Sequence, residues 1–340
     1  MEDCVTVAVD AMGGDNAPEE IVKGCVDAVL SDERIYIKLV GKEPVVSRVL
    51  EKYKYPDGRI VVVNADEIIS NEEAPVNAIR RKKDSSICVA LGLVKKQEAD
   101  AFLSAGSTGA VLVGAQLIVG RIKGVERPPL ASIIPNYDGV SLLCDCGANV
   151  DARASHLVQF ARMGSIYFEN IMGVEKPRVA IVNIGVEEEK GNQLVKETYP
   201  LLKNCKDINF IGSIEARDIP FGLADVIICE GFTGNVILKM YEGVSKALLK
   251  KIKEAFYFDL KSKIGGVLVK PAFKKKLKSL DTSEYGSAPM LGLNGLVLKT
   301  HGSATAKEVK NSLLQCITYK EQHINDKIRE VITASDSWEE

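Results

Sequence analysis

Seven short loops of this chain gather glycine with hydroxyl, amide, acidic and basic side chains, and most follow directly on an apolar run. The first, Asp10-Ala11-Met12-Gly13-Gly14-Asp15-Asn16-Ala17-Pro18, stands between the β-branched run Cys4–Val9 and an acidic helix start, Pro18-Glu19-Glu20. Adjacent glycines let backbone N–H groups come close to an anion, although an ordinary strand-to-helix turn would use the same residues. Ser104-Ala105-Gly106-Ser107-Thr108-Gly109-Ala110 brings hydroxyls to a helix start, as an anion cradle or as a plain cap. Asp145–Asp151 sets Asn149 and two acids at the end of an apolar run. Ile184–Asn192 carries Lys190 beside a glycine, a cation for a phosphate or a surface charge. Glu230-Gly231-Phe232-Thr233-Gly234-Asn235 repeats the pattern of Gly, Thr and Asn, and Tyr285–Pro289 and His301-Gly302-Ser303 complete the set. His301 alone among the three histidines adjoins a glycine in such a loop, which suits a structural histidine or a proton carrier.

Together these loops suit an oxyanion such as phosphate. The chain lacks Gly-x-Gly-x-x-Gly and the P-loop Gly-x-x-x-x-Gly-Lys-Ser/Thr, which argues against dinucleotide or ATP binding by those routes. It also lacks the Gly-x-Ser-x-Gly elbow of many serine hydrolases.

The elements that must position these loops alternate. Apolar strand patterns fall at Ile35–Val40, Ile60–Val63, Ala101–Leu103, Ser141–Cys144, Arg178–Val182, Ile208–Ile211 and Val226–Cys229. Helical patterns between them include Val76–Arg81, Val111–Ile118, His156–Phe168 and Leu194–Leu202. Such alternation predicts a three-layer α/β/α fold around a mostly parallel sheet, with loops at strand carboxyl ends forming the site. No repeat and no long linker divides the 340 residues, so a single α/β domain, or two interwoven lobes, is expected over 1–340.

Composition narrows the functional classes. Hydrophobic residues at 46% and charged residues at 26% describe a globular chain, and a net charge of −2 disfavours a general nucleic-acid binder. Apolar runs are too short to span a bilayer and no secretion signal opens the chain, so a cytoplasmic location is expected. Eight scattered cysteines read as buried thiols; with three unpaired histidines, no metal site is expected.

Two segments are strongly basic. Lys246–Lys278 holds eleven lysines against Glu254 and Asp259, with apolar residues near helical spacing. Its pattern predicts a protruding basic amphipathic hairpin over 246–280, broken at Gly265-Gly266 and restarted at Pro271. That hairpin would pack on the core or on a second subunit, or rest on anionic lipid through Phe256, Phe258, Leu260, Val267 and Leu268. The second segment, Arg80-Arg81-Lys82-Lys83, is a solvated helix end or a landing patch for an acidic partner or a phosphate.

The motifs Val9–Asp15, Ala78–Ser86, Ser104–Ala110, Asp145–Asp151, Gly231–Asn235 and His301–Ser303, in this order, resemble the bacterial phosphate acyltransferases of the PlsX type over essentially the whole chain. Departures are few: Ser107 stands where that family often has Asn, Glu230 where Asp is usual, and Ser287 where a second Gly is common. The resemblance implies transfer of a fatty acyl group from acyl carrier protein to inorganic phosphate, giving acyl phosphate for phospholipid synthesis. It also implies a fold like the isocitrate and isopropylmalate dehydrogenases, a homodimer, no cofactor, and peripheral contact with the membrane.

Phosphate is a nucleophile near neutral pH, so positioning and preorganised donors should supply most of the rate. On that basis Gly13, Gly14, Asp15, Ser107, Thr108, Gly109, Thr233 and Gly234 form the expected phosphate site, with Lys190 offsetting charge. Asn149 and Asn235 are expected to orient the thioester or its oxyanion, and His301 to protonate the departing thiolate. Arg80, Arg81, Lys82 and Lys83 are the expected docking surface for acidic acyl carrier protein. Rival readings are a short-chain phosphotransacylase using coenzyme A, a decarboxylating dehydrogenase of similar fold, and a non-catalytic membrane scaffold.

Overall fold

A computed structural model describes residues 4–277 and 286–336. Residues 278–280 of the expected hairpin, and Tyr285, lie outside the described residues. The strands are β1 (Val5–Asp10), β2 (Ile35–Gly41), β3 (Ile60–Asn64), β4 (Ala101–Ser104), β5 (Ala131–Pro135), β6 (Val140–Cys144), β7 (Arg178–Asn183), β8 (Asn209–Glu215), β9 (Val226–Ile228), β10 (Ala288–Met290) and β11 (Leu296–Lys299). They form two sheets, ordered β10-β11-β4-β1-β2-β3 and β5-β6-β9-β7-β8. Each sheet is parallel apart from one antiparallel edge strand, β10 in the first and β5 in the second. An isolated bridge from Leu130 to Met290 joins these edges. The chain leaves the first sheet after β4, builds the second, and returns with β10 and β11.

Helices cover both faces, and strand alternation explains why. In β1, Val7 and Val9 enter one core with α1 (Glu19–Ser31), α6 (Ala154–Met172), α10 (Ala306–Glu321) and α11 (Ile324–Asp336). Ala8, between them, faces the other core with α3 (Pro75–Arg81), α4 (Ser86–Lys95) and α5 (Thr108–Gly114). Val226 and Ile228 likewise part from Ile227 in β9. Strands buried on both faces read as continuous apolar runs, which is why the parallel strands were legible in sequence. The remaining helices of the core layers are α2 (Glu43–Leu50) and α7 (Gln193–Asn204).

Three strands escape the pattern reading. β5, Ala-Ser-Ile-Ile-Pro, follows Pro128-Pro129 and ends on a proline, and an edge strand tolerates proline because one side of its ladder is open. β10 and β11 are three and four residues long, too short to show a period.

The basic segment also differs from expectation. α8 runs unbroken from Gly231 to Phe256, and α9 from Leu260 to Leu277. The break falls at Tyr257-Phe258-Asp259, where Asp259 accepts the Ser262 N–H at 2.7 Å and so caps α9. Gly265, Gly266 and Pro271 lie inside α9. Gly266 faces Phe256, whose ring meets Phe273 edge-on at 5.6 Å, so this glycine serves helix contact rather than a turn.

Candidate active site

From β1 the chain steps outward to β2 and β3, then crosses to β4 on the other side of β1. The strand order therefore reverses between β1 and β4, where an open α/β sheet forms a crevice at its carboxyl edge. Asp10 ends β1 there, fully buried; its carboxylate accepts the Ser104 hydroxyl at 2.7 Å and the Met12 N–H at 3.1 Å. Burial pushes the Asp10 carboxyl above its ordinary range, against hydrogen bonds from Ser86, Ser104 and Met12. A Cβ on Gly13 would overlap the Asp10 carboxylate and come within 2.7 Å of the Gly106 nitrogen, so only glycine lets the two loops touch. Asp15 then donates its N–H to the Gly302 carbonyl at 2.7 Å, and the Asn16 amide reaches the Ser303 carbonyl at 3.1 Å. Three loops distant in sequence are thereby laced together.

A second lacing holds the start of α8. Asp145 is fully buried after β6 and accepts N–H groups from Leu130, Gly147, Ala148 and Asn149, at 2.7 to 3.2 Å. Burial still leaves its carboxyl raised from the ordinary value. The side-chain amide of Asn149 donates to Asp145 at 2.8 Å and to the Pro128 carbonyl at 3.0 Å. Both hydrogens of that amide are thus committed to holding the loop. Against this loop the first turn of α8 packs through glycine: a Cβ on Gly234 would overlap the Asp145 carbonyl, and one on Gly231 would lie 2.9 Å from Asn149 backbone. Glu230 caps the helix, accepting the Thr233 N–H at 3.1 Å and the Thr233 hydroxyl at 2.5 Å.

Between the two lacings lies a cleft of about 240 Å³. Thr108, Ser132, Asn235, Lys299, Thr300 and His301 supply most of its polar lining, with Leu130, Ile133 and Leu238 apolar. Asn235, Lys239 and Glu242 face it from α8 at spacings of four and three residues, one helical face. His301 Nε2 lies 2.9 Å from Glu242, and Lys239 Nζ 3.1 Å from the other Glu242 oxygen. Burial works to raise the Glu242 carboxyl, but His301 and Lys239 outweigh it and hold it at about 2. Lys299, only 7% exposed at the end of β11, donates to the Thr300 carbonyl. Burial draws its ammonium down to about 8, against attraction from Asp10 and Asp15.

Of the residues expected from sequence, Thr108, Asn235 and His301 meet in this cleft. Gly13, Gly14 and Asp15 lace the floor loops, and Gly109 packs on Pro75 of α3. Ser107 is buried and caps α5; Thr233 is tied to Glu230, Gly234 is spent on helix packing, and Asn149 on its own loop. Lys190 is exposed, ion-paired with Glu187 at 2.9 Å, and does not line the cleft. Arg80, Arg81 and Lys83 are exposed, whereas Lys82 is half-buried and paired with Glu73 at 2.8 Å. Phe258, Leu260, Val267 and Leu268 are exposed, and Phe256 turns toward α9. Lys299, Lys239 and Glu242 were not read from sequence. The available signal was Lys299 itself, a charge closing the apolar run Leu296–Leu298 two residues before His301. Among the described residues no group of three or more His, Cys, Asp or Glu is placed to hold a metal ion, and no helix is long and apolar enough to cross a membrane.

The architecture is that of the phosphotransacetylases. A phosphotransacetylase from Streptococcus pyogenes superposes with a TM-score of 0.63 over 94% of both chains at 16% identity. A 4-hydroxythreonine-4-phosphate dehydrogenase from Klebsiella pneumoniae gives 0.51 at 12% identity, covering 93% of this chain and 98% of that one. At these identities the likeness concerns the fold. The family model described as "Fatty acid synthesis protein" matches residues 5–327. "Phosphate acyltransferase" of Clostridium novyi (strain NT) is 50% identical over 95% of this chain and 97% of its own length; that of Clostridium acetobutylicum is 48% identical with the same coverage. The chain belongs to this phosphate acyltransferase family and is an acyltransferase.

Proposed function

We propose that the cleft transfers a fatty acyl group from acyl carrier protein to inorganic phosphate, for use in phospholipid synthesis. A phosphate oxygen attacks the thioester carbonyl, the carbon–sulfur bond breaks, the carrier thiolate takes a proton, and acyl phosphate leaves. The observation that carries this reading is the convergence of Thr108 and Asn235, from the first turns of α5 and α8, and His301, from the loop after β11, on one cleft at the carboxyl ends of the strands. In this reading Thr108 donates to phosphate, Asn235 donates to the oxyanion forming on the carbonyl, and His301 delivers the proton. Lys190, which pairs with Glu187 outside the cleft, adds positive charge to its approach from the loop after β7. The thioester is already activated and phosphate is already a nucleophile, so the step calls for no cofactor.

Around this centre the reading includes three contacts. Acidic acyl carrier protein docks on the exposed Arg80, Arg81 and Lys83, with Lys82 behind them. Two copies form a homodimer. In the cytoplasm the exposed Phe258, Leu260, Val267 and Leu268, among the lysines of α8 and α9, touch anionic membrane from the side, with Phe256 bracing the helix pair.

The test is to incubate the protein with long-chain acyl carrier protein and labelled phosphate and to look for acyl phosphate. Asn235→Ala should lower kcat by about a hundredfold if it removes an oxyanion donor, and Lys190→Ala should raise the KM for phosphate. Full activity with unchanged phosphate affinity in both variants would overturn the site. Turnover of acetyl-coenzyme A but not of acyl carrier protein would replace the donor.

A further inference from the structure

We infer that Lys299 is the cation that receives the phosphate charge in this cleft, an inference that rests on the acyl-transfer reading and adds a binding residue to it. Three observations carry it. First, Lys299 is more than nine-tenths buried yet lines the cleft, so its ammonium has no access to bulk water except through the space that a substrate would fill. Second, among the described residues it forms no ion pair; its one hydrogen bond goes to the Thr300 carbonyl, leaving two of its three donor positions open. Third, the other charged groups of the cleft are already engaged in ion pairs or hydrogen bonds. Lys239 and His301 share Glu242, and Glu308 accepts the Thr305 N–H and hydroxyl at 2.7 and 3.1 Å.

A buried charge without a partner costs stability, and proteins ordinarily neutralise it by pairing. Asp10 and Asp15 attract the ammonium from a distance but make no ion-pair contact with it, and the Asp10 carboxylate is taken up by the Ser104 hydroxyl and the Met12 N–H. An incoming oxyanion would complete the pairing. Thr108 and Thr300 line the same cleft and would share its remaining oxygens. Burial lowers the ammonium value and repulsion from Lys239 adds to it, against attraction from Asp10 and Asp15, so an oxyanion in direct contact would favour the charged form. Lysine suits the task as a compact charge with three rotatable donors.

The experiment uses the wild-type chain and two variants. The wild-type protein is treated with an amine-reactive reagent, with inorganic phosphate or with chloride at equal ionic strength, and modification of Lys299 is followed by mass spectrometry. Phosphate should slow the labelling of Lys299 severalfold where chloride does not. Lys299→Met should raise the KM for phosphate by about tenfold or more, the loss expected when a charged hydrogen-bond donor is removed, with a smaller change in kcat. Lys299→Arg should recover part of that affinity. Absence of phosphate protection, or a Lys299→Met enzyme with an unchanged KM for phosphate, overturns the inference. If Lys299→Met does not fold, the labelling of the wild-type chain decides. Failure of the wild-type chain to make acyl phosphate, with Lys299 still protected by phosphate, would instead overturn the acyl-transfer reading.

Discussion

At the residue scale, glycines and buried carboxylates do much of the construction that sequence reading assigned to substrate. Gly234 is in the first turn of α8, directly against the Asp145 carbonyl, and Asp145 in turn gathers four backbone N–H groups and the Asn149 amide. A methyl group cannot enter that contact without moving the helix or the loop. Gly234→Ala should therefore destabilise the fold by about 2 kcal/mol, the usual size of an overpacking effect, as read from urea unfolding. Activity should fall with it, because Asn235 shifts along with the turn. An unchanged unfolding midpoint would show that the loop can give way.

At the element scale, α8 links two parts of the molecule. Its first three turns present Asn235, Lys239 and Glu242 to the cleft, and its far half is exposed and rich in lysine. Glu242 fastens it to the loop after β11 through His301. The folded value of about 2 lies below the ordinary 4.5, so this carboxylate contributes stability that is complete above about pH 4.5 and fades as the pH falls toward 2. Glu242→Gln removes that contribution at neutral pH and has less to remove in acid. The gap in Tm between wild type and Glu242→Gln should be largest near pH 6 and narrow as the pH is lowered toward 3. A gap independent of pH would mean that the pair contributes no net stability.

For the molecule as a whole, two sheets joined at their antiparallel edges turn the carboxyl ends of strands from both toward one cleft. The net charge is only −2, so attraction of the proposed acidic carrier protein would have to come from local patches such as exposed Arg80, Arg81 and Lys83. The corresponding prediction is kinetic. Raising the ionic strength from about 0.05 to about 0.5 M shortens the screening length severalfold, and kcat/KM for acyl carrier protein should fall steeply. A flat response would remove those residues from the docking surface.

The amino-acid sequence by itself determined the alternation of strands and helices, because strands buried on both faces leave unbroken apolar runs and amphipathic helices leave a 3.6-residue period. It also determined the polar loops and the family resemblance, both of which depend on local order along the chain. Tertiary structure decided which loop residues share a space. Gly109, Thr233, Gly234 and Asn149 carry the right chemistry, yet packing and local hydrogen bonds claim them, whereas Thr108, Asn235 and His301 converge. Lys299 looks in sequence like a charge at the end of a short strand. Only the folding of β11 beside β4, next to β1, makes it a buried cation with no carboxylate in direct contact among the described residues. Burial and pairing depend on neighbours hundreds of residues away, and no local pattern records them.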